Sequence, residues 1–116
     1  MKRIMLALGV ALAALVVAAP AGANSSAAQA TTVTVTMKEF KFTLSKAKVP
    51  HGTVTFKLVN KGSVAHDFKI AGKKSKLIQP GKSGKLVVTL KKGKLPYICT
   101  VPGHAAAGMK GKLTVT

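Results

Sequence analysis

Apolar residues recur at every second position through most of this chain, and that period is the strongest limit on what it can fold into. "TTVTVTM" sets Val33, Val35 and Met37 on one face and threonines on the other. "FKFTL" aligns Phe40, Phe42 and Leu44; "GTVTFKLVN" aligns Val54, Phe56 and Leu58. "HDFKI" aligns His66, Phe68 and Ile70, with Asp67 and Lys69 opposite. "KLVVTLK", "LPYIC" and "KLTV" follow the same rule with Leu86, Val88 and Leu90, then Leu95, Tyr97 and Cys99, then Leu113 and Val115. A period of two belongs to a strand with one buried face, and beyond the N-terminal apolar run no segment sustains the 3.6-residue period of a helix. Pro50-His51-Gly52, Asn60-Lys61-Gly62, Ala71-Gly72, Pro80-Gly81, Lys92-Gly93 and Pro102-Gly103 supply turns between the strands. The expectation is an all-β fold of about seven short strands, a sandwich or small barrel whose two sheets bury their apolar faces against each other.

The N-terminus obeys a different rule. Lys2 and Arg3 precede an unbroken apolar run from Ile4 to Ala19, and Ala21-Gly22-Ala23 offers a small-x-small cleavage signal. This is the pattern of a secretory signal peptide over residues 1–23. The run is shorter than the roughly 20 residues of a membrane span, and no cysteine follows it for lipid attachment. Residues 24–30, small and polar, read as a flexible lead-in. Residues 31–116 are long enough for one core and one domain. The protein is therefore expected to be exported, to a periplasm or the medium, with no stable membrane anchor after cleavage.

Charge narrows the choice of partner. The chain has 19 Lys+Arg against 2 Asp+Glu, and loss of Lys2 and Arg3 with the leader leaves 17 against 2, a net charge of +15. Such a balance suits an anionic partner or surface. Specific nucleic-acid readout is not expected. The only arginine, Arg3, leaves with the leader, and Phe40, Phe42, Phe56, Phe68 and Tyr97 mostly fall at core-like positions rather than on a basic stacking face.

Against this background Cys99 stands out. Exported proteins usually pair their cysteines, and this one has no partner in the chain. It is an intermolecular disulfide, an inert buried thiol or a metal ligand. "CTVPGHAAAGMKG" places Cys99, His104 and Met109 in a C-x4-H-x4-M spacing, within a loop rich in turn residues (Pro102, Gly103, Gly108, Gly111). Strand parity turns both His66 and Cys99 toward the core. A buried imidazole needs a hydrogen bond or a metal. Two imidazoles and a thiolate in a trigonal arrangement, with a distant thioether on the axis, form the donor set of blue-copper electron transfer. Thiolate and thioether suit Cu(I), and imidazole suits both oxidation states. Zinc accepts the same donors, but structural zinc sites favour several cysteines at short paired spacings, and a methionine ligand argues for copper. Each residue alone has a plainer reading: a satisfied core histidine, an inert thiol, a packed methionine. His51, in the "VPHGT" turn, reads as a surface histidine, and Met37 as core.

Over nearly all of residues 31–116 the chain resembles a small cupredoxin of the plastocyanin/azurin type. The resemblance rests on "FKFTLSKAKVPHGTVTFKLVNKGSVAHDFKI" and "GKLPYICTVPGHAAAGMKGKLTV", that is, on N-x-G-x-x-x-H-x-F (Asn60, Gly62, His66, Phe68), on C-x4-H-x4-M and on G-x-L-x-V (Gly111, Leu113, Val115). It implies a Greek-key β-sandwich holding one copper ion that cycles between Cu(II) and Cu(I). His66, Cys99 and His104 would be the close ligands and Met109 the weak axial one. It also implies a hydrogen bond from the residue after His66 to the residue after Cys99, here Asp67 and Thr100. Aspartate is a departure at a position where many relatives carry asparagine, and its charge should favour Cu(II) and lower the potential. Pro96 is a second departure; lacking an N–H, it should take an edge or unpaired position.

The function expected from this reading is single-electron transport, with no substrate transformed. The partner would be an acidic redox protein, a cytochrome or oxidase, docking transiently on a monomer beside His104 through an apolar patch that includes Val101, Pro102 and Ala105–Ala107. Lysines would steer it. The alternative is a copper-binding or copper-delivery protein using the same ligands. An oxidase or nitrite reductase would need a further open metal site, for which only His51 remains. A metal-free polyanion-binding module would leave the C-x4-H-x4-M spacing unexplained.

Overall fold

The structure is a computed structural model and describes residues 30–116. The leader expected at 1–23, and the lead-in expected at 24–30 apart from the exposed Ala30, lie outside the described residues. Among the described residues every regular element is a strand: β1 (Thr31–Lys38), β2 (Lys41–Leu44), β3 (Lys48–Val49), β4 (Gly52–Asn60), β5 (Lys69–Ile70), β6 (Lys73–Lys74), β7 (Ser83–Leu90), β8 (Gly93–Ile98) and β9 (Lys110–Val115). They form two mixed sheets, in the orders β2-β1-β4-β7 and β3-β9-β8-β5-β6. The chain crosses repeatedly between the sheets, and β1 runs parallel to β4, as β3 does to β9. This is the expected two-sheet sandwich, consistent with Greek-key connections.

The alternation in the sequence is the alternation of burial. Val33, Val35 and Met37 of β1 are fully buried, and Val54, Phe56 and Leu58 of β4 lie beside them with Val33 opposite Phe56 and Val35 opposite Leu58. Leu113 and Val115 of β9 and Ile70 of β5 close the core from the other sheet. Phe68 sits between the layers, 5.0 Å from the Phe56 ring and 5.3 Å from Phe42 on one side and 5.4 Å from Tyr97 of β8 on the other, and so joins the two sheets through aromatic contacts.

Nine strands replace the expected seven because β3 and β6, two residues each, carry too little pattern to be read. Two further expectations need correction. "HDFKI" forms a strand only at Lys69–Ile70, and Asp67, expected to face outward, is buried. Phe40 leaves the core alternation: it lies in the β1–β2 turn and is 43% exposed. Pro96, expected at an edge or unpaired position, lies on the interior strand β8 at a point unpaired on its β5 side. It faces Lys112 of β9, while β5 reaches only as far as Tyr97, so one flank of Pro96 has no strand for a missing N–H to disrupt.

One pole of the sandwich gathers the ends that matter. β1 and β4 finish side by side there, with Met37 opposite Asn60, and Ile98 at the end of β8 lies between Lys69 and Lys110. The Asn60 side chain is buried and fully used. Its amide donates to the carbonyls of Val64 and Ile78, both at 2.8 Å, and its oxygen accepts the Gly62 N–H at 2.8 Å. Asn60 thus shapes the loop that leads from β4 to His66.

The core predicts its own sensitivity. Phe56→Ala should cost about 3–5 kcal/mol, whereas Val87→Ala, on the outer face, should stay within about 0.5 kcal/mol. Urea unfolding of the metal-free protein measures both.

Candidate metal centre

Cys99 directly follows β8, in continuation of its inward alternation of Leu95 and Tyr97, and it is buried. The loop after it is a chain of turns. His104 N–H donates to the Val101 carbonyl at 3.0 Å, Gly108 N–H to Ala105 at 3.0 Å, and Met109 N–H to His104 at 3.0 Å. The loop closes on itself where the Cys99 N–H donates to the Met109 carbonyl at 3.1 Å. Gly108 carries φ of +122°, a backbone conformation that side-chain-bearing residues rarely adopt, so the return to β9 depends on glycine here. These bonds hold Cys99, His104 and Met109 around one small ring of backbone.

His66 arrives from the other direction. Its backbone pairs with Ile78, N–H to carbonyl at 3.1 Å and the reverse at 2.7 Å, and its ring is fully buried. Its Nδ1 lies 3.1 Å from His104 Nδ1 and 4.0 Å from Cys99 Sγ, and His104 Nδ1 lies 3.6 Å from the same sulfur. These three donor atoms all lie within 4.8 Å of one another. Two imidazole nitrogens and a sulfur therefore face a common point. Met109, fully buried, is held at the loop closure between Cys99 and His104 by its own backbone bonds.

Burial governs the electrostatics. Desolvation pushes the Cys99 thiol up, opposed by N–H groups of Asp67 and Val101 directed at the sulfur, which favour the thiolate. Desolvation lowers His66, against the hydrogen bond and charge of Glu39. Both shifts favour the uncharged form in the metal-free site. Asp67 ties the two ligand segments together: its carboxylate accepts the Thr100 N–H at 2.6 Å and a short bond from the Thr100 hydroxyl.

Glu39 is the residue that sequence reasoning missed. Its Oε1 accepts the N–H groups of Ser63 and Val64 at 2.8 and 2.9 Å and lies 3.3 Å from His66 Nε2. Partial desolvation raises its pKa, but these hydrogen bonds outweigh it and lower the carboxyl to about 2. Glu39 and Asp67 are the chain's entire acidic complement, but only Asp67 adjoins a candidate ligand in the sequence, so nothing local pointed to Glu39. Phe40 was also misjudged. Its ring meets the His104 imidazole edge-on at a centroid distance of 5.0 Å. Val101 and Ala105 are half-buried beside His104, and Pro102, Ala106 and Ala107 are exposed. His51 is exposed and remote in role; its Nδ1 binds the Thr116 carbonyl at 2.9 Å. Met37 is core.

The donors present fit one copper ion better than zinc. One thiol, two imidazoles and a thioether-bearing residue mix soft and borderline ligands that suit both Cu(I) and Cu(II), and the described residues supply neither a second cysteine nor a paired Cys/His spacing.

Comparison with known proteins agrees. A short stretch of 42 residues is 50% identical to the copper-resistant cuproprotein CopI of Pseudomonas aeruginosa strain PAO1, covering 35% of this chain and 23% of that protein. The chain thus spans less than a quarter of the length of this curated relative. Auracyanin B superposes with a TM-score of 0.64 at 25% identity, over 80% of this chain and 92% of that one. Auracyanin A, a "blue" copper protein of Chloroflexus aurantiacus, gives 0.64 at 26% identity over 75% and 99%. Rusticyanin of Thiobacillus ferrooxidans shares the fold, with a TM-score of 0.64 at 22% identity over 76% and 78%. The family model of the cupredoxin-like domain matches residues 7–115. The chain belongs to the cupredoxin-like family.

Proposed function

We propose that this protein is an exported blue copper protein that carries single electrons between redox partners. The convergence of His66, Cys99 and His104 at the end of a rigid sandwich carries the reading. His66, Cys99 and His104 would hold the ion closely and Met109 weakly, and the bound copper supplies the one-electron Cu(II)/Cu(I) couple. The residues around it do the rest. Their backbone bonds hold the donors in place in the absence of metal, which supports a small rearrangement when the charge changes. Burial of Cys99, His66 and Met109 keeps water and small oxidants away from the donors. The half-buried His104 is the donor nearest the surface.

The same pole supports a docking role. Exposed Phe40, Val64, Pro102, Ala106 and Ala107 give it apolar surface, as suits the small contacts of transient redox encounters. Lysines surround the sandwich to the point of facing each other across its ladders: Lys38 opposite Lys41, Lys57 opposite Lys85, Lys69 opposite Lys74. Like charges so placed cost stability, and Lys38, Lys41 and Lys61 line one recess adjoining the Glu39–Phe40 turn. Both features support an acidic partner, steered by charge and docked on the protein as a monomer. Export is supported by the leader pattern of residues 1–23. In this reading no substrate is converted, and the protein acts as a carrier rather than an enzyme.

A second reading is favoured by the CopI relative, described as copper-resistant: the same ligands could bind copper for storage or delivery. Reduction separates the two. A carrier keeps its copper as Cu(I) in the presence of a competing Cu(I) chelator for many turnovers, whereas a delivery protein hands it over.

Titration of the metal-free protein with Cu(II) should give an intense blue absorption that saturates at one equivalent. Cys99→Ser should abolish that colour, since the band arises from the thiolate; an unchanged spectrum would remove Cys99 from the site. Electron exchange with an acidic redox protein should slow by about tenfold or more between low and physiological ionic strength. A rate indifferent to salt, in stopped-flow measurement, would remove the steering role of the lysines.

A further inference from the structure

Of the carboxylates in this chain, one belongs to the tie between the ligand segments. The other, Glu39, has no part in that tie and none in the core. It sits in the β1–β2 turn, with its side chain 25% exposed. Yet a single oxygen, Oε1, meets three groups of the opposing loop: the N–H of Ser63, the N–H of Val64 and Nε2 of His66. The loop is built to receive it. A methyl group at Gly62 would stand 2.6 Å from both carboxylate oxygens, so a side chain larger than glycine there would collide with them. The contact falls on the far side of the His66 ring from Cys99 and His104, which face Nδ1.

We infer that Glu39 is a positioning residue for His66: its carboxylate accepts the ring Nε2–H and thereby fixes the tautomer that leaves the Nδ1 lone pair facing Cys99 and His104. A neutral imidazole carries its proton on one nitrogen only, and the acceptor offered to one side decides which nitrogen can bind a metal. A backbone carbonyl could perform that task. An ionised carboxylate does more, because its charge makes the ring a stronger donor and stabilises the higher oxidation state of a metal bound to it. Glu39 also ties the ring to the β1–β2 turn that carries Phe40, so the turn that touches His104 and the turn that orients His66 are the same. The redox consequence rests on the copper reading proposed above; the tautomer does not.

Two measurements test the inference separately. In the metal-free protein, nitrogen-15 NMR of the imidazole rings reads the tautomer. His66 should carry its proton on Nε2, and that proton should exchange slowly. Glu39→Ala should lose the protection, and Gly62→Ala, which displaces the carboxylate, should lower it. Glu39→Gln should keep it, because an amide oxygen accepts the same bond; this variant also keeps the test informative if Glu39→Ala fails to fold. In the copper-loaded protein, Glu39→Gln should shift the ratio of Cu(II) to Cu(I) affinity about tenfold toward Cu(I), a rise in potential of about 59 mV for a one-electron couple. A wild-type His66 protonated on Nδ1 would overturn the inference, as would a folded Glu39→Ala with unchanged ring protection; an unchanged potential in Glu39→Gln would overturn its redox consequence. A slowly exchanging Nε2–H in a wild-type protein that forms no blue complex would uphold the positioning role and sink the copper reading instead.

Discussion

Placing two imidazoles and a thiol at the end of an apolar sandwich is the constraint on which this structure turns. A polar group taken out of water without a partner costs several kcal/mol by order of magnitude, and here several are withdrawn together. The fold meets the cost group by group. Asn60 spends its whole amide on the loop before His66. Asp67 accepts both donors of Thr100. Glu39 takes two backbone N–H groups and faces the far side of the His66 ring. Among the described residues no buried side-chain nitrogen or oxygen lacks a partner. A pocket so satisfied is tied together by its own hydrogen bonds.

The cost is met from a very small supply of acidic groups. A chain with this many lysines would be expected to scatter its carboxylates among them as surface ion pairs, which contribute little individually. Neither carboxylate is used that way. Both stand at the metal pole, where hydrogen bonds to backbone N–H groups give each a fixed orientation. The lysines are left unbalanced, and their repulsion across the ladders is tolerated because the core, with Phe56 and Phe68 packed between the sheets, carries the stability. The separation has a functional sense. Negative charge is close to the metal pole and fixed, while positive charge is distributed over the outer faces, where, under the proposed function, an acidic partner would meet it.

Much of this was legible in the residues themselves. The strict alternation of Val33, Val35 and Met37, and of Val54, Phe56 and Leu58, determined both the strands and the face each would bury, because a period of two admits no other regular structure. The C-x4-H-x4-M spacing announced a loop in which one strand end offers three donors, and parity turned His66 and Cys99 inward. Turn residues at Pro102, Gly103 and Gly108 marked the loop as tight. Each of these signals is local: it depends on neighbours a few positions away.

What the tertiary structure decided lies between segments far apart in the chain. No pattern in the sequence joins Glu39 to His66, 27 residues on, or turns Phe40 out of its apparent alternation onto His104. Both follow from β1 and β4 running parallel and ending at the same pole, a crossover that local periodicity does not encode. The short strands β3 and β6 are products of the same assembly, since two residues pair only where a neighbour is already in place. Asp67 was judged exposed because alternation assigns faces within a strand, and here the strand begins only at Lys69. The sequence by itself determined which residues are apolar, where the chain turns and which donors are available. Only the packing of the two sheets decided which carboxylate meets which ligand, because the hydrogen bonds that fix a buried imidazole come from whatever backbone and side chains the opposing layer brings to it.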